Sequence, residues 1–305
     1  MFHETLKKQS KKKRMNGFKI VVLAKQVPDT RNVGKDAMKE DGTVNRAVLP
    51  AIFNPEDLNA LELALRIKDQ NPGTEITILT MGPPRAAEII REAMFRGADN
   101  GILITDKRFA GSDTLATSYA ISQAVKKIKD YDIVIAGRQA IDGDTAQVGP
   151  QVAEKLGIPQ ITYAEELVSA NEQKIVIKRR LENGIEIVST PMPALITVHS
   201  SAPECRPRNA KYLMKFKYAK TSIDLEEASQ IEKDLVEQRK YLKIQIWTVD
   251  DIQADVQWLG LSGSPTKVKN IENVILAAKE SKVLTSSDSD INSLIKELIE
   301  NHTIG

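Results

Sequence analysis

Cysteine is almost absent: Cys205 stands alone among 305 residues, which excludes a disulfide framework. Three histidines, far apart in the chain, leave a thiolate or imidazole metal centre without a ligand set. No apolar run approaches the ~18 residues of a spanning helix, so no membrane span is expected. The N-terminus has no apolar segment of the kind that follows the basic start of a secretory signal, and a cytoplasmic location is the expectation. Excess charge is also lacking. The formal net charge is +2, yet the first fourteen residues hold six Lys and Arg against one Glu, so the remaining body is net −3. An acidic body argues against nucleic acid as a partner. No nucleophile, base and orienting acid fall together, and no catalytic side chain is expected. His199 stands alone near a strand end and reads as structural. Cys205 has no neighbouring His and reads as an inert thiol.

What is present is alternation. Residues 1–14 read as a disordered basic tail or tag, with a dock for an acidic partner as the sharper reading. Residues 18–24 (FKIVVLA) are a short apolar run, the mark of a strand covered on both faces. EDG at 41–42 and its preceding Glu signals a turn. Asn54, Pro55, Glu56 and Asp57 open a helix: Asn as cap, Pro at the first position, carboxylates against the dipole. Strands are predicted over 75–80, 101–105 and 132–136, and helices over 86–95, 114–128 and 147–156. This rhythm specifies an α/β fold, a doubly wound, mostly parallel sheet with helices on both faces, whose ligands bind at the carboxyl ends of strands.

After residue 157 the pattern changes. Asn183-Gly184 between two strand-like runs signals a hairpin, and residues 193–199 read as a further strand. A helix is expected over 225–239 with Ala228, Ile231 and Leu235 on one face, then a Gly/Ser/Pro loop at 260–266 and a last helix over 289–300. The final hundred residues bury too little to stand as a second domain and read as a C-terminal partner-wrapping arm.

The segment GRQAIDGDTAQVG (137–149) follows a strand and opens a helix. Small residues let the backbone approach a ligand, and the amides of Thr145, Ala146, Gln147 and Val148 are placed to hold phosphate. It matches neither common phosphate-loop pattern. Asp142 and Asp144 oppose an anion and suit a helix cap or a ribose hydroxyl instead. A nucleotide loop and a well-capped helix remain equal readings of the spacing.

At this segment the chain resembles the beta subunit of electron transfer flavoproteins, which carry G-x-Q-A-x-D-x-D-x-x-Q. KIVVLAKQVPD, NPED, GADN, GSDT and GRQAIDGDTAQVG extend the resemblance over nearly the whole chain from Met15. It implies a Rossmann-like, adenine-nucleotide-binding domain over 15–205 and a partner-recognition segment with the arm over 206–305. The implied nucleotide site comprises Ala24, Asn54, Pro55, Glu56, Asp57, Met81, Gly137, Arg138, Gln139, Ala140, Asp142, Gly143, Asp144, Thr145, Ala146, Gln147 and Val148. Shuttle-type members tend to be polar where Ala146 and Val148 stand, so phosphate contacts fall to backbone amides and Gln147.

EDGTVNRAVLPAIFNPED and WLGLSGSPTKV resemble the electron-bifurcating subgroup. That implies FAD in this subunit, NAD(H) as hydride substrate, and a heterodimer with the alpha subunit. It also implies a flavin-dependent dehydrogenase of acyl-CoA, enoyl-CoA or lactate type, and ferredoxin as acceptor or donor. A shuttle subunit holding structural AMP is the alternative, a non-redox nucleotide-binding scaffold another; a free-standing adenylating ligase lacks its expected loop. Ser262, Ser264 and Thr266 are candidate groups at the flavin ring, or a plain turn. Residues 111–114 either seat NADH phosphates or only cap a helix. Arg138 lies beside the flavin or pyrophosphate, or pairs with Asp142. Residues 206–220 suit dehydrogenase docking or an amphipathic helix over the core.

Overall fold

The computed structural model describes residues 17–29, 50–266 and 283–300; the basic tail, Met15 and the EDG turn lie outside the described residues. The first strand, β1 (Lys19–Leu23), is buried almost throughout, and its side chains alternate between two cores. Ile20 and Val22 join one cluster; Val21 and Leu23 join the other. A short ribbon pairs β2 (Gln26–Pro28) with β3 (Ala51–Phe53), followed by α1 (Pro55–Gln70). Then come β4 (Glu75–Met81), α2 (Ala87–Arg96), β5 (Asn100–Ile104), α3 (Thr114–Ile128), β6 (Ile133–Gly137) and α4 (Val148–Leu156). The apolar faces of α1 and α2 cover one side of the sheet, and those of α3 and α4 the other.

β7 (Gln160–Ala170), β8 (Lys174–Leu181), β9 (Gly184–Pro191) and β10 (Ala194–Val198) follow. The hairpin forms as expected, but Leu181 pairs with Gly184, so its turn is Glu182-Asn183. β10 returns between β6 and β7, parallel to both. α5 (Ala210–Phe216), α6 (Ser222–Glu226) and α7 (Gln230–Gln238) lead to β11 (Gln245–Trp247), which adds to β5 in parallel. Among the described residues the nine strands of the sheet run β11-β5-β4-β1-β6-β10-β7-β8-β9, parallel from β11 to β7 and antiparallel beyond. The doubly wound sheet of the sequence reading is therefore present.

The expectation for residues 225–239 is corrected. The single helix over 225–239 is two helices, each opened by its own capping box, at Thr221–Asp224 and Ser229–Glu232. Ala228 lies between them and Ile231 is 81% exposed, while Val236 of α7 is buried in the core and Leu235 packs half-buried against it. The chain after residue 205 returns to the sheet: β11 completes its edge, and Phe216, Leu242, Ile244, Val249 and Leu259 are buried. The last helix, α8 (Asp288–Glu300), has no buried residue. Among the described residues no helix is long and apolar enough to cross a membrane.

Candidate functional site

The strand order turns back between β1 and β6: from β1 the chain winds outward to β4 and β5, then crosses to β6 on β1's other side. Crevices at the carboxyl ends of strands form at such a switch point. A cavity of about 400 Å³ lies there, within the usual range for a small-molecule site. Leu23, Leu79, Met81, Phe109 and Ile121 supply apolar lining; the loop from Gly137 to Gly149 and residues 111–114 form polar walls.

Two buried carboxylates build this end of the sheet. Pro55 starts α1, which puts Glu56 and Asp57 in its first turn. Asp57 accepts the amide N–H of Lys25, just past β1 (2.8 Å), and that of Gly137, at the end of β6 (3.0 Å). One side chain thus ties both strand ends to the helix. Burial pushes the Asp57 carboxyl up to about 7, against the opposing pull of the Lys25 and Gly137 amides. Glu56 accepts from Arg138 Nη2 (2.9 Å) and from the Gln139 amide (2.9 Å). Glycine is required at 137, because a Cβ there would lie 2.4 Å from Asp57 Oδ1.

The two carboxylates brace the loop rather than merely face the helix dipole. Nor does the Asn54 side chain cap α1. It donates to the Gln139 carbonyl (2.9 Å) and accepts from the Ile141 amide (3.2 Å), so it holds the loop's first half. Arg138 pairs with Glu56, not with Asp142. Asp142 is taken by Lys25 (2.7 Å), which removes one of the two charges that opposed an anion; Asp144 accepts from Gln139 (2.8 Å).

The second half of the loop is unusual. Asp144 and Ala146 adopt left-handed backbone, with φ of 47° and 51°, at about 1–2 kcal/mol each for non-glycine residues. Gln147 then returns to the right-handed region and opens α4. Alternating backbone hand turns successive amides toward one concavity, a nest suited to anions. Among the described residues the amides of Thr145, Ala146 and Gln147 have no protein acceptor. Thr114 donates to Gln147 Oε1 (2.8 Å), joining the two polar walls.

Most of the predicted residues meet at this cavity. Ala24, Asp57, Met81, Gly137, Arg138, Gln139, Ala140, Gly143, Asp144, Thr145, Ala146, Gln147 and Val148 line it. Asn54, Glu56 and Asp142 stand behind the lining as braces, and Pro55 begins the helix. Ser262, Ser264 and Thr266 do not line it, because their hydroxyls are engaged elsewhere. Ser262 donates to the Leu259 carbonyl (3.0 Å), Ser264 to that of Gly260 (2.6 Å), and Thr266 to Asp113 Oδ2 (2.7 Å). Asp113 in turn caps α3 through the Leu115 and Ala116 amides. Burial pushes the Asp113 carboxyl up, but these amides and Thr266 outweigh it and hold the group below its ordinary range.

Sequence reasoning missed Lys25, Leu23, Leu79, Phe109, Thr117 and Ile121. The strand-end position of Lys25 was the available signal. His199 and Cys205 lie outside the cavity lining.

The family model for the electron transfer flavoprotein domain matches residues 41–220, well over half of the chain. The chain belongs to the electron transfer flavoprotein family. The electron transfer flavoprotein subunit beta of Clostridium acetobutylicum is 46% identical over 250 residues, covering 82% of this chain and 86% of the relative. The caffeyl-CoA reductase-Etf complex subunit CarD of Acetobacterium woodii is 39% identical over 288 residues, 94% of this chain and all of the relative. The acryloyl-CoA reductase electron transfer subunit gamma of Anaerotignum propionicum is 41% identical over 254 residues, covering 82% and 86%. Within this electron transfer flavoprotein chain, the matched span contains the two carboxylate braces, the left-handed loop and the 111–114 wall.

Proposed function

We propose that this chain is the beta subunit of an electron-bifurcating electron transfer flavoprotein, which holds FAD in the switch-point cavity and exchanges hydride with NAD(H). Single electrons pass to the flavin of the alpha subunit and to a low-potential acceptor of ferredoxin type. The heterodimer works in the cytoplasm with a flavin-dependent dehydrogenase of acyl-CoA, enoyl-CoA or lactate type. The observation that carries this reading is the left-handed loop, whose Thr145, Ala146 and Gln147 amides are free beside a largely apolar cavity. The donor set fits a nucleotide cofactor: uncharged N–H groups for the phosphates, and Leu23, Leu79, Phe109 and Ile121 for a flat ring. Bound FAD supplies both two-electron and one-electron chemistry.

The protein's part is placement. Asp57 and Glu56 fix the loop's first half, and Thr114 with Gln147 bridges the cavity walls. Ser264, whose hydroxyl accepts the Asp113 amide N–H (2.8 Å), and Thr266, which donates to the Asp113 carboxylate, hold the 111–114 wall, a positioning role in place of direct contact. The names of two relatives, a subunit of a caffeyl-CoA reductase-Etf complex and an acryloyl-CoA reductase electron transfer subunit, support a CoA-linked reductase as partner. Nucleotides extracted from the intact heterodimer test the reading. Two FAD per pair are expected, with bleaching of the beta-bound flavin by NADH under anaerobic conditions. One FAD and one AMP would overturn bifurcation in favour of the shuttle alternative.

A further inference from the structure

The 111–114 wall of the cavity is held from behind by a stretch of chain about 150 residues later, and no residue of that stretch lines the cavity. The Gly260 amide donates to Ser112 Oγ (3.1 Å), and the Asp113 amide donates to Ser264 Oγ (2.8 Å). Thr266 donates to Asp113 Oδ2 twice, from its amide (3.1 Å) and from its hydroxyl (2.7 Å). Leu261 sits directly on the backbone of Gly111, where a Cβ would lie 2.6 Å from Leu261 Cγ. The two segments are therefore fitted to each other, and glycine at 111 is part of the fit.

The fit is lightly anchored. Of residues 256–266 only Leu259, Gly260 and Ser264 are buried, and Val256, Trp258 and Leu261 are exposed. Few buried apolar groups and hydrogen bonds close to solvent mark a segment that opens locally at low cost. Its hydrogen bonds converge on Ser112 and Asp113, and Asp113 divides its carboxylate between two tasks. Oδ1 accepts the Leu115 and Ala116 amides and so caps α3, while Oδ2 takes Thr266. The next residue, Thr114, donates to Gln147 Oε1 (2.8 Å), and Gln147 carries one of the free amides of the left-handed loop. An unbroken line of contacts thus runs from exposed Thr266 through Asp113, Thr114 and Gln147 to the loop.

We propose that residues 260–266 are a latch on this wall, and that its release sets the rate at which nucleotide enters and leaves the cavity. The proposal rests on the function proposed above only in placing a nucleotide there; FAD and AMP serve it equally. With the latch closed, Ser264 and Thr266 fix Asp113, Asp113 fixes the first turn of α3, and Thr114 fixes Gln147. With the latch open, Asp113 Oδ2 returns to water and the wall parts from the loop. Coupling between separated groups needs such a contiguous network, and here each link is a hydrogen bond between named groups.

The test uses the intact holo-heterodimer. Its nucleotides are extracted and identified first, which decides the bifurcating reading separately. Exchange of bound nucleotide is then followed with an isotope-labelled form of the nucleotide found, FAD or AMP. Thr266 is exposed, so Thr266→Val removes a hydroxyl without disturbing the core; Ser264→Ala is the second latch variant. The exchange phase that responds to Thr114→Val, on the cavity wall, belongs to the beta-bound nucleotide. Thr266→Val and Thr114→Val are each expected to speed that phase about tenfold, the scale of one lost hydrogen bond, and Thr266→Ser to keep the wild-type rate. Because the two positions act along one line, the double variant is expected to be about tenfold faster as well. A double variant about a hundredfold faster would mean two independent contributions and would overturn the latch. Wild-type exchange in both latch variants, or in Thr114→Val, overturns it too, as does Thr266→Ser exchanging as fast as Thr266→Val.

Discussion

Replacing Asp57 by Asn separates its hydrogen bonds from its charge. The wild-type side chain accepts two amide N–H groups, from Lys25 and Gly137. Asn keeps one acceptor and turns an NH₂ toward the other amide, a loss of about 1–3 kcal/mol for an unsatisfied buried donor. The charge acts in the opposite direction. Burial raises the carboxyl from 3.8 to about 7, so between these values the folded chain holds a proton that the unfolded chain has released. Wild-type stability from this group is therefore greatest at low pH. It falls as pH rises through the window and levels off above about 7, a total of about 4 kcal/mol. Asn has no such dependence. Urea unfolding of wild type and Asp57→Asn is compared from pH 5 to pH 8, at fixed concentration of the assembled protein. The variant is expected to be less stable at pH 5 and to gain on wild type by about 3 kcal/mol by pH 8. Parallel pH profiles would refute the argument, because they would mean that Asp57 is ionised in the folded protein throughout the range.

Gly137→Ala would push a Cβ to 2.4 Å from Asp57 Oδ1; we expect a loss of about 1–3 kcal/mol with reduced nucleotide retention, and wild-type retention would contradict the bracing role. Ala146→Gly should stabilise the chain by up to about 1 kcal/mol, because glycine adopts the φ of 51° without strain; destabilisation would count against the left-handed loop. Ala146→Pro should abolish nucleotide retention, since proline fixes φ near −65° as well as removing an amide. Cys205, whose thiol burial pushes up to about 11 against the pull of Arg96, should alkylate with iodoacetamide at pH 8 more slowly than a free thiol by about a hundredfold or more; rates equal to glutathione would refute this.

The parallel sheet was legible because its strands are short apolar runs separated by helix starts, and that pattern has one common solution. β7 was not, although it is the longest strand. Its exposed and buried residues follow no period of two, because the break around Tyr163 shifts one half against the other. β11 has three residues, too few for any periodicity. Over residues 221–239 apolar spacing overrode two separate capping boxes, and of the face it predicted Leu235 packs against the core while Ile231 is left in solvent. The cavity lining followed from the resemblance and from glycine and helix-start signals. Lys25 did not, because its partner Asp142 is 117 residues away.

The errors at the site share one cause. Asn54, Glu56 and Asp57 are good residues for a helix start, and local rules therefore assign them to the helix. In the fold the helix start is only where they are anchored. Asp57 reaches two strand ends, Glu56 reaches Arg138 and Gln139, and Asn54 reaches Gln139 and Ile141. A first turn of α1 that needed these side chains for its own capping could not have lent them to the loop. Proline at the first helical position relieves part of that need, because it has no N–H to satisfy. Pro55 thereby frees its neighbours to brace a strained loop that lines the cavity.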